Sequence, residues 1–546
     1  MNQLSTPALT STPPLDATKD AFDRLTFLGW RWGLTAIVGG LALSFFLFGY
    51  ALIYWRNADM DFMVIYNALA MNDGKPQLFF DHTAYLTILA LKAWFQLLHG
   101  LGLLDADSLS AMPPASNPAA FDAAMTSAVR AGRVLAFLIA TGGVLIFAAL
   151  ARLILRDWRV AMIATVAFAF SGGIAVHSRI LRSELVAACP VIFALMFMIV
   201  AGRRATPGRP LALAVAAALC VLGLENKVQA ILLIGALPLM VLPFGGENSA
   251  SVAFWSHSRV RWLLTGIMAL AAIAATSAAW PLIATGLDRA LLGAAQFHPL
   301  LLGRFGIYQV ALGILIGGCM VAYAMIWRVS AAETLASMLT VIAGAAIASL
   351  VLDLDYNVSN VIAVVNPLEK MLTFADTTTS DAANGSSLLS IVLLLLDGVG
   401  SVLARYTFVL HSSPRPTVFL TWLIVPGIIL AWRRGETLVA IQALMLLLGA
   451  IGIDALAVRR GLKSEYFIFT DPLIILSGAM LLDRLSDLRF HKWAYPIAAT
   501  LFGLHIAIGQ AEPIKYAFMR RGPESICAWN GYYMPLLPLP WCPSRP

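Results

Sequence analysis

Charge is scarce in this sequence. Lys, Arg, Asp and Glu make up 12% of its 546 residues, against about a quarter in soluble domains, and 60% of the chain is hydrophobic. That balance excludes an ordinary soluble enzyme. Cysteine is nearly lacking as well: there are five, none in a CxxC spacing, so no thiolate metal site is expected. The basic excess of +7 comes without basic runs, and no Gly-rich phosphate loop follows a plausible strand. Nucleic acid is therefore not an expected partner. The first residues lack the early hydrophobic core of a signal peptide.

Long apolar stretches are what the sequence has instead. The first, Gly33 to Tyr54, is long enough at about 1.5 Å per residue to cross a ~30 Å hydrocarbon core. Others follow at about 134–153, 160–176, 185–201, 211–224, 228–244, 263–280, 307–326, 334–352, 418–431, 438–457, 467–482 and 493–509. Thirteen spans put the two ends of the chain on opposite sides. The expected fold is an all-α polytopic membrane protein. Residues 1–32 form a cytoplasmic tail, disordered to about Phe22; 33–510 form the transmembrane domain; and 511–546 form an outer C-terminal tail.

Alternate short loops carry Arg152, Arg156 and Arg159; Arg203, Arg204 and Arg209; Arg259 and Arg261; Arg328; Arg433 and Arg434; and Arg484, Arg489 and Lys492. These loops are expected on the cytoplasmic side. The opposite face receives a long first loop, 55–133, and a second, 353–416. Leu388 to Leu396 is apolar for only about nine residues before Asp397, Gly398, Gly400 and Arg405, and suits an interfacial helix better than a span.

Polar chemistry gathers in four places on that outer face. In the first loop, apolar residues recur at helical spacing in Phe62 to Met71 and Tyr85 to Leu98, which predicts two amphipathic helices along the membrane surface, joined by a turn at Asn72, Asp73 and Gly74. The loop also holds Asp59, Asp61, Lys75 and His82. Asp59 and Asp61 sit at the membrane boundary, where partial burial suits a carboxylate to general-base work. On an extended backbone they share a face and could hold a divalent cation; a capping or water-facing acidic pair is the plain alternative. The second place is His177 to Glu184, where Arg179 and Arg182, three apart, could fork a phosphate or snorkel to headgroups. The third is Glu225, Asn226 and Lys227, almost without loop between two spans; Lys227 suits a lipid phosphate, or simply pairs with Glu225. The fourth is Lys463 to Pro472, with Tyr466 as ligand contact or interfacial anchor. In the tail, Cys527 and Cys542 pair in an oxidising compartment or stay as thiols, and Trp529, Tyr532, Tyr533 and Trp541 suit a small outer cap.

A first span ending in an acidic pair, a long first outer loop, Ser178-Arg179-Ile180-Leu181-Arg182-Ser183-Glu184 at the next outer turn, Lys227, and Tyr466 to Pro472 at a late span together resemble the GT-C glycosyltransferases. The layout is most similar to the protein O-mannosyltransferase and lipid A aminoarabinose transferase branch. The resemblance implies a transferase, and the high Ala, Leu and Arg content suits a bacterial inner-membrane protein. It would take a hexosyl or pentosyl group from a polyprenyl-phosphate donor to a periplasmic lipid, glycan or protein acceptor. It implies Asp59 as the base on the acceptor hydroxyl, with Asp61 beside it. Lys227, Arg179 and Arg182 would lie on the donor phosphate, and Lys75, His82, Glu184 and Tyr466 would line the cavity. Met60 interrupts the Asp-Glu pair usual in that branch. The resulting DxD is similar to the metal-using oligosaccharyltransferases, although no Trp-Trp-Asp sequence occurs. The competing classes are a transporter or lipid flippase, against which no internal repeat is seen, and a polysaccharide polymerase or ligase of the cell envelope, which the loop with Asp353, Asp355 and Asp376 would suit.

Overall fold

The computed structural model describes the chain apart from residues 1–14, 78–83, 205–206, 247–248, 286, 289, 291–305, 355–366, 368–387, 408–417, 458–463, 486–490, 519–521 and 544–546. Every regular element among the described residues is helical. The main ones are α1 Leu15–Phe45, α2 Ala58–Asn72, α3 Tyr85–Gly100, α4 Pro118–Ile154, α5 Trp158–Ala169, α6 Gly172–His177, α7 Glu184–Arg204, α8 Arg209–Asn226, α9 Ala230–Val241, α10 Ser249–Ser256 and α11 Ser258–Thr285. They continue as α12 Gly306–Ile326, α13 Ala331–Ser349, α14 Leu388–Thr407, α15 Val418–Arg433, α16 Thr437–Ala457, α17 Asp471–Leu485, α18 His491–Phe518 and α19 Cys527–Tyr533.

Local sequence sets several of the boundaries. The Asn117 side chain accepts the Ala120 N–H with Pro118 in the first turn, Asp157 accepts from Arg159, and Ser330 accepts from Glu333 in a Ser-x-x-Glu start. Helix α1 begins at Leu15, within the stretch expected to be a disordered tail, and no proline interrupts it before the first span.

Among the described residues, nine helices are long and apolar enough to cross a membrane, and Trp158–Ala169, Ala230–Val241 and Leu420–Arg433 are shorter apolar helices. With α17, helices stand at all thirteen expected places. Large apolar side chains on them face outward, Ile314 at 70% and Met325 at 75% exposure among them. Such a surface is stable against lipid and not against water. The chain is a multi-pass membrane protein.

The helix ends sort into two sets. At one end, Asp483 accepts the backbone N–H of Arg156 and Asp157, Arg203 reaches Ile154 O and Gln442, and Arg209 pairs with Glu333 at 3.4 Å. This is the arginine-rich end. At the other, a second hydrophobic core forms from α2, α3, the start of α4 and the C-terminal tail, including Tyr54, Phe62, Phe121, Met534 and Leu537. The Trp541 ring packs tilted against Tyr54 and edge-on to Phe121, at 6.0 and 6.2 Å, and Leu536 N–H donates to Tyr66. The tail therefore lies on the same face as the first loop.

Two expectations change in detail. Helix α2 is not a surface helix: Asp61 to Met71 are all buried, because α3, α4 and the tail cover the face its apolar pattern leaves open. Helix α14 runs unbroken through Asp397 and Gly398. Gly398 lies against Ala455 and Tyr406 reaches Asp454, so both contacts fall on the last turn of α16 and α14 crosses that end.

Candidate functional site

Three helical segments break at the face that carries the first loop. Helices α5 and α6 are interrupted at Phe170 and Ser171; α8 and α9 are separated by Lys227, Val228 and Gln229; and α17 is preceded by the 3-10 turn Ser464–Phe469. Each break ends a run of internally paired backbone and brings charged residues to one level. Their close packing depends on Gly173, where an added Cβ would stand 2.9 Å from Ile468 N.

The charged side chains meet at Glu184, which is fully buried at the start of α7. Lys227 Nζ donates to Glu184 Oε1 at 2.6 Å. Arg182 donates to both Glu184 oxygens, at 3.3 and 3.4 Å, and to Glu465 at 3.3 Å. His177 Nε2 stands 3.5 Å from Glu184 Oε2, and its Nδ1 lies 2.6 Å from Gly173 O. A carbonyl only accepts, so Nδ1 carries the proton there. Lys227 also lies over the Tyr466 ring, 5.4 Å from its centre. Two fixed cations and an imidazole thus share one carboxylate.

The first loop is latched onto this cluster through Asn226. Its side chain accepts from Thr87 N–H and Thr87 Oγ1 at 2.9 and 3.0 Å and donates to Ser183 O, while its backbone carbonyl accepts the Ala84 N–H at 2.7 Å. Ala84 has φ 45°, a left-handed value costing about 1–2 kcal/mol outside glycine. The tight bend at the start of α3 is held by these bonds.

Asp61 supports the cluster from behind. Its Oδ2 accepts a hydrogen bond from Arg133 Nε at 2.8 Å and stands 2.8 Å from Nη2 in the same ion pair, and its Oδ1 accepts the Leu181 N–H at 2.8 Å. Arg133 further donates to Gly49 O and Leu52 O. Burial pushes the Asp61 carboxyl above its ordinary value, with the Arg133 guanidinium and the Leu181 N–H pulling against it. The segment carrying Arg182 and Glu184 is thereby tied to α2, α4 and the end of the first span.

The structure brings Lys227, Arg182, Glu184 and Tyr466 together and separates other predicted residues from them. Residues 178–183 are not helical, so Arg179 and Arg182 form no common fork. Arg179 instead donates to Ser44 and Gln510 and covers the Phe48 ring at 5.0 Å, and burial lowers its guanidinium to about 10. Lys75 pairs with Asp73 at 3.9 Å beyond the far end of α2, roughly 16 Å of helix from Asp61. The backbone of α2 is helical through Asp59 and Asp61, not extended as a shared face requires. His82 and the Asp59 side chain lie outside the described residues. Cys527 and Cys542 are joined in a disulfide.

Among the described residues, no group of three or more His, Cys, Asp and Glu is arranged to hold a metal. Both Asp61 oxygens are already engaged by Arg133 and Leu181, so this carboxylate does not fit a cation site as it stands. Sequence reasoning missed Arg133 as the partner of Asp61. Its one signal was an arginine directly at the start of the apolar run from Val134, where a buried charge needs a partner.

Fold and site together define an all-α, multi-pass membrane protein with a buried cluster of paired charges at one membrane face. No protein-family model and no curated protein matches the sequence. Among solved structures, the apo form of the Archaeoglobus fulgidus oligosaccharyltransferase is similar, with TM-score 0.45 and 12% identity over 95% of this chain and 61% of that one. The chain thus spans less than two thirds of that protein's length. At this TM-score the likeness carries no argument about chemistry, and the functional reading rests on the site itself.

Proposed function

We propose that the protein is a GT-C-like glycosyltransferase that moves a sugar from a polyprenyl-phosphate carrier to a lipid, glycan or protein acceptor. In the proposed orientation the arginine-rich ends are cytoplasmic, and the site and the C-terminal tail are periplasmic, in a bacterial inner membrane. The observation that carries the reading is the convergence of Lys227 and Arg182 on Glu184, buried at the ends of apolar helices and roofed by α3.

Such a cluster suits a lipid phosphate. A polyprenyl-phosphate sugar is a phosphodiester with one negative charge, and the departing polyprenyl phosphate gains a second as the glycosidic bond breaks. Cations fixed beforehand stabilise that added charge without reorganising. Glu184 keeps Lys227 and Arg182 in place until phosphate oxygens take over part of its role. Asp59, at the start of α2, is assigned as the base that removes the acceptor hydroxyl proton. Asp61 positions the Arg182–Glu184 segment through Leu181.

The test is binding of bare polyprenyl phosphate against uncharged polyprenol, with the protein in nanodiscs. Wild type is expected to prefer the phosphate, and Lys227→Ala to lose about 10- to 100-fold in phosphate affinity, the range of a charge-assisted bond. Equal binding of both lipids would overturn the reading. A flippase of the same architecture would instead move the lipid across sealed vesicles without cleaving its sugar.

A further inference from the structure

Two buried side chains beside Lys227 are unexplained by the phosphate site. Glu225 is fully buried and Gln229 is 6% exposed, and neither carboxylate oxygen of Glu225 nor either amide atom of Gln229 has a hydrogen-bond partner among the described residues. Gln229 occupies the position before α9, yet its side chain caps nothing. Ser183 Oγ, next to Glu184, is buried and unpartnered too. Buried polar groups are almost always bonded, and each one left unsatisfied is costly. Five such atoms on residues flanking the Lys227–Glu184 pair call for a ligand rich in hydroxyls.

We infer that Glu225 and Gln229 form the sugar-recognition wall of the donor site, binding ring hydroxyls of the transferred glycosyl group. This rests on the donor reading above. The chemistry matches: a carboxyl group and a carboxamide both exchange hydrogen bonds with hydroxyls. The placement matches as well. Each residue is two positions from Lys227, a chain length of at most about 7 Å, and the sugar is joined directly to the phosphate that Lys227 receives. The helix break at Lys227 therefore carries the phosphate ligand and both proposed hydroxyl ligands on one short segment.

The experiment measures affinity of full-length protein in nanodiscs for bare polyprenyl phosphate and for polyprenyl phosphates carrying a hexose, a pentose or an N-acetylhexosamine. Wild type should bind one of the sugar lipids about tenfold or more tighter than the bare carrier, the effect of one or two satisfied buried bonds. Glu225→Gln and Gln229→Leu should each bind the bare carrier as wild type does and lose most of that preference. Retained preference in both variants overturns the inference, and so does a wild type that favours none of the sugars. Loss of bare-carrier binding in Lys227→Ala, measured in parallel, tests the donor reading separately. If that variant binds the bare carrier normally, the phosphate assignment fails whatever Glu225 and Gln229 do.

Discussion

Lys227 Nζ and Glu184 Oε1 are 2.6 Å apart, and both side chains are shielded from solvent. Breaking a buried pair from one side leaves a charge unbalanced and costs about 3–5 kcal/mol. Lys227→Met is therefore expected to lower the thermal midpoint in detergent. The double variant Lys227→Met/Glu184→Gln should recover part of the loss while leaving phosphate binding impaired. Strictly additive losses would contradict the coupling.

Asp61 is expected to act through structure. Asp61→Asn keeps an acceptor for Leu181 N–H and removes the charge opposite Arg133, so it should reduce folded abundance and thermal midpoint, again by about 3–5 kcal/mol. The double variant Asp61→Leu/Arg133→Met should be more abundant than Asp61→Asn. A stable, fully abundant Asp61→Asn that is inactive would instead make Asp61 a catalytic group.

Asn226→Ala removes one acceptor and one donor that join α3 to the 183–184 turn. The groups left unpaired cost about 1–3 kcal/mol each. Hydrogen exchange in Tyr85–Gly100 should rise selectively, with exchange in α16 unchanged. Equal protection in variant and wild type would show that α3 does not depend on this latch.

The Cys527–Cys542 bond closes a loop with a sequence separation of 15, which contributes about 3 kcal/mol. An impermeant maleimide added from the outer side should label these cysteines only after reduction, and Cys527→Ser should loosen the tail from the first-loop core. Labelling from the cytoplasmic side would contradict the proposed orientation.

Much of this was legible in the sequence because hydropathy reports directly on helices in lipid. The thirteen helical places, the turn at Asn72 to Gly74, where Gly74 has φ 73°, and the gathering of Glu184, Lys227 and Tyr466 on one face all follow from local pattern and alternation. What local pattern cannot carry is pairing across the fold. Asp61 and Arg133 are 72 residues apart, and Asn226 and Thr87 are 139 apart. The divergence of Arg179 from Arg182 was hidden for a different reason: their spacing implies one face only on a helix, and α6 ends at His177. The burial of Asp61 to Met71 was hidden because the cover comes partly from a tail more than 450 residues away, as in the Leu536–Tyr66 bond.

Transfer of a lipid-linked sugar by this cluster would leave a chemical trace in the envelope. Its most direct test is mass spectrometry of envelope glycans and glycolipids from a strain lacking the protein, complemented with wild type, Asp59→Asn or Lys227→Ala at matched abundance. The account predicts that one sugar modification vanishes on deletion, returns with wild type, and stays absent or much reduced with either variant. Full restoration by both variants would contradict it.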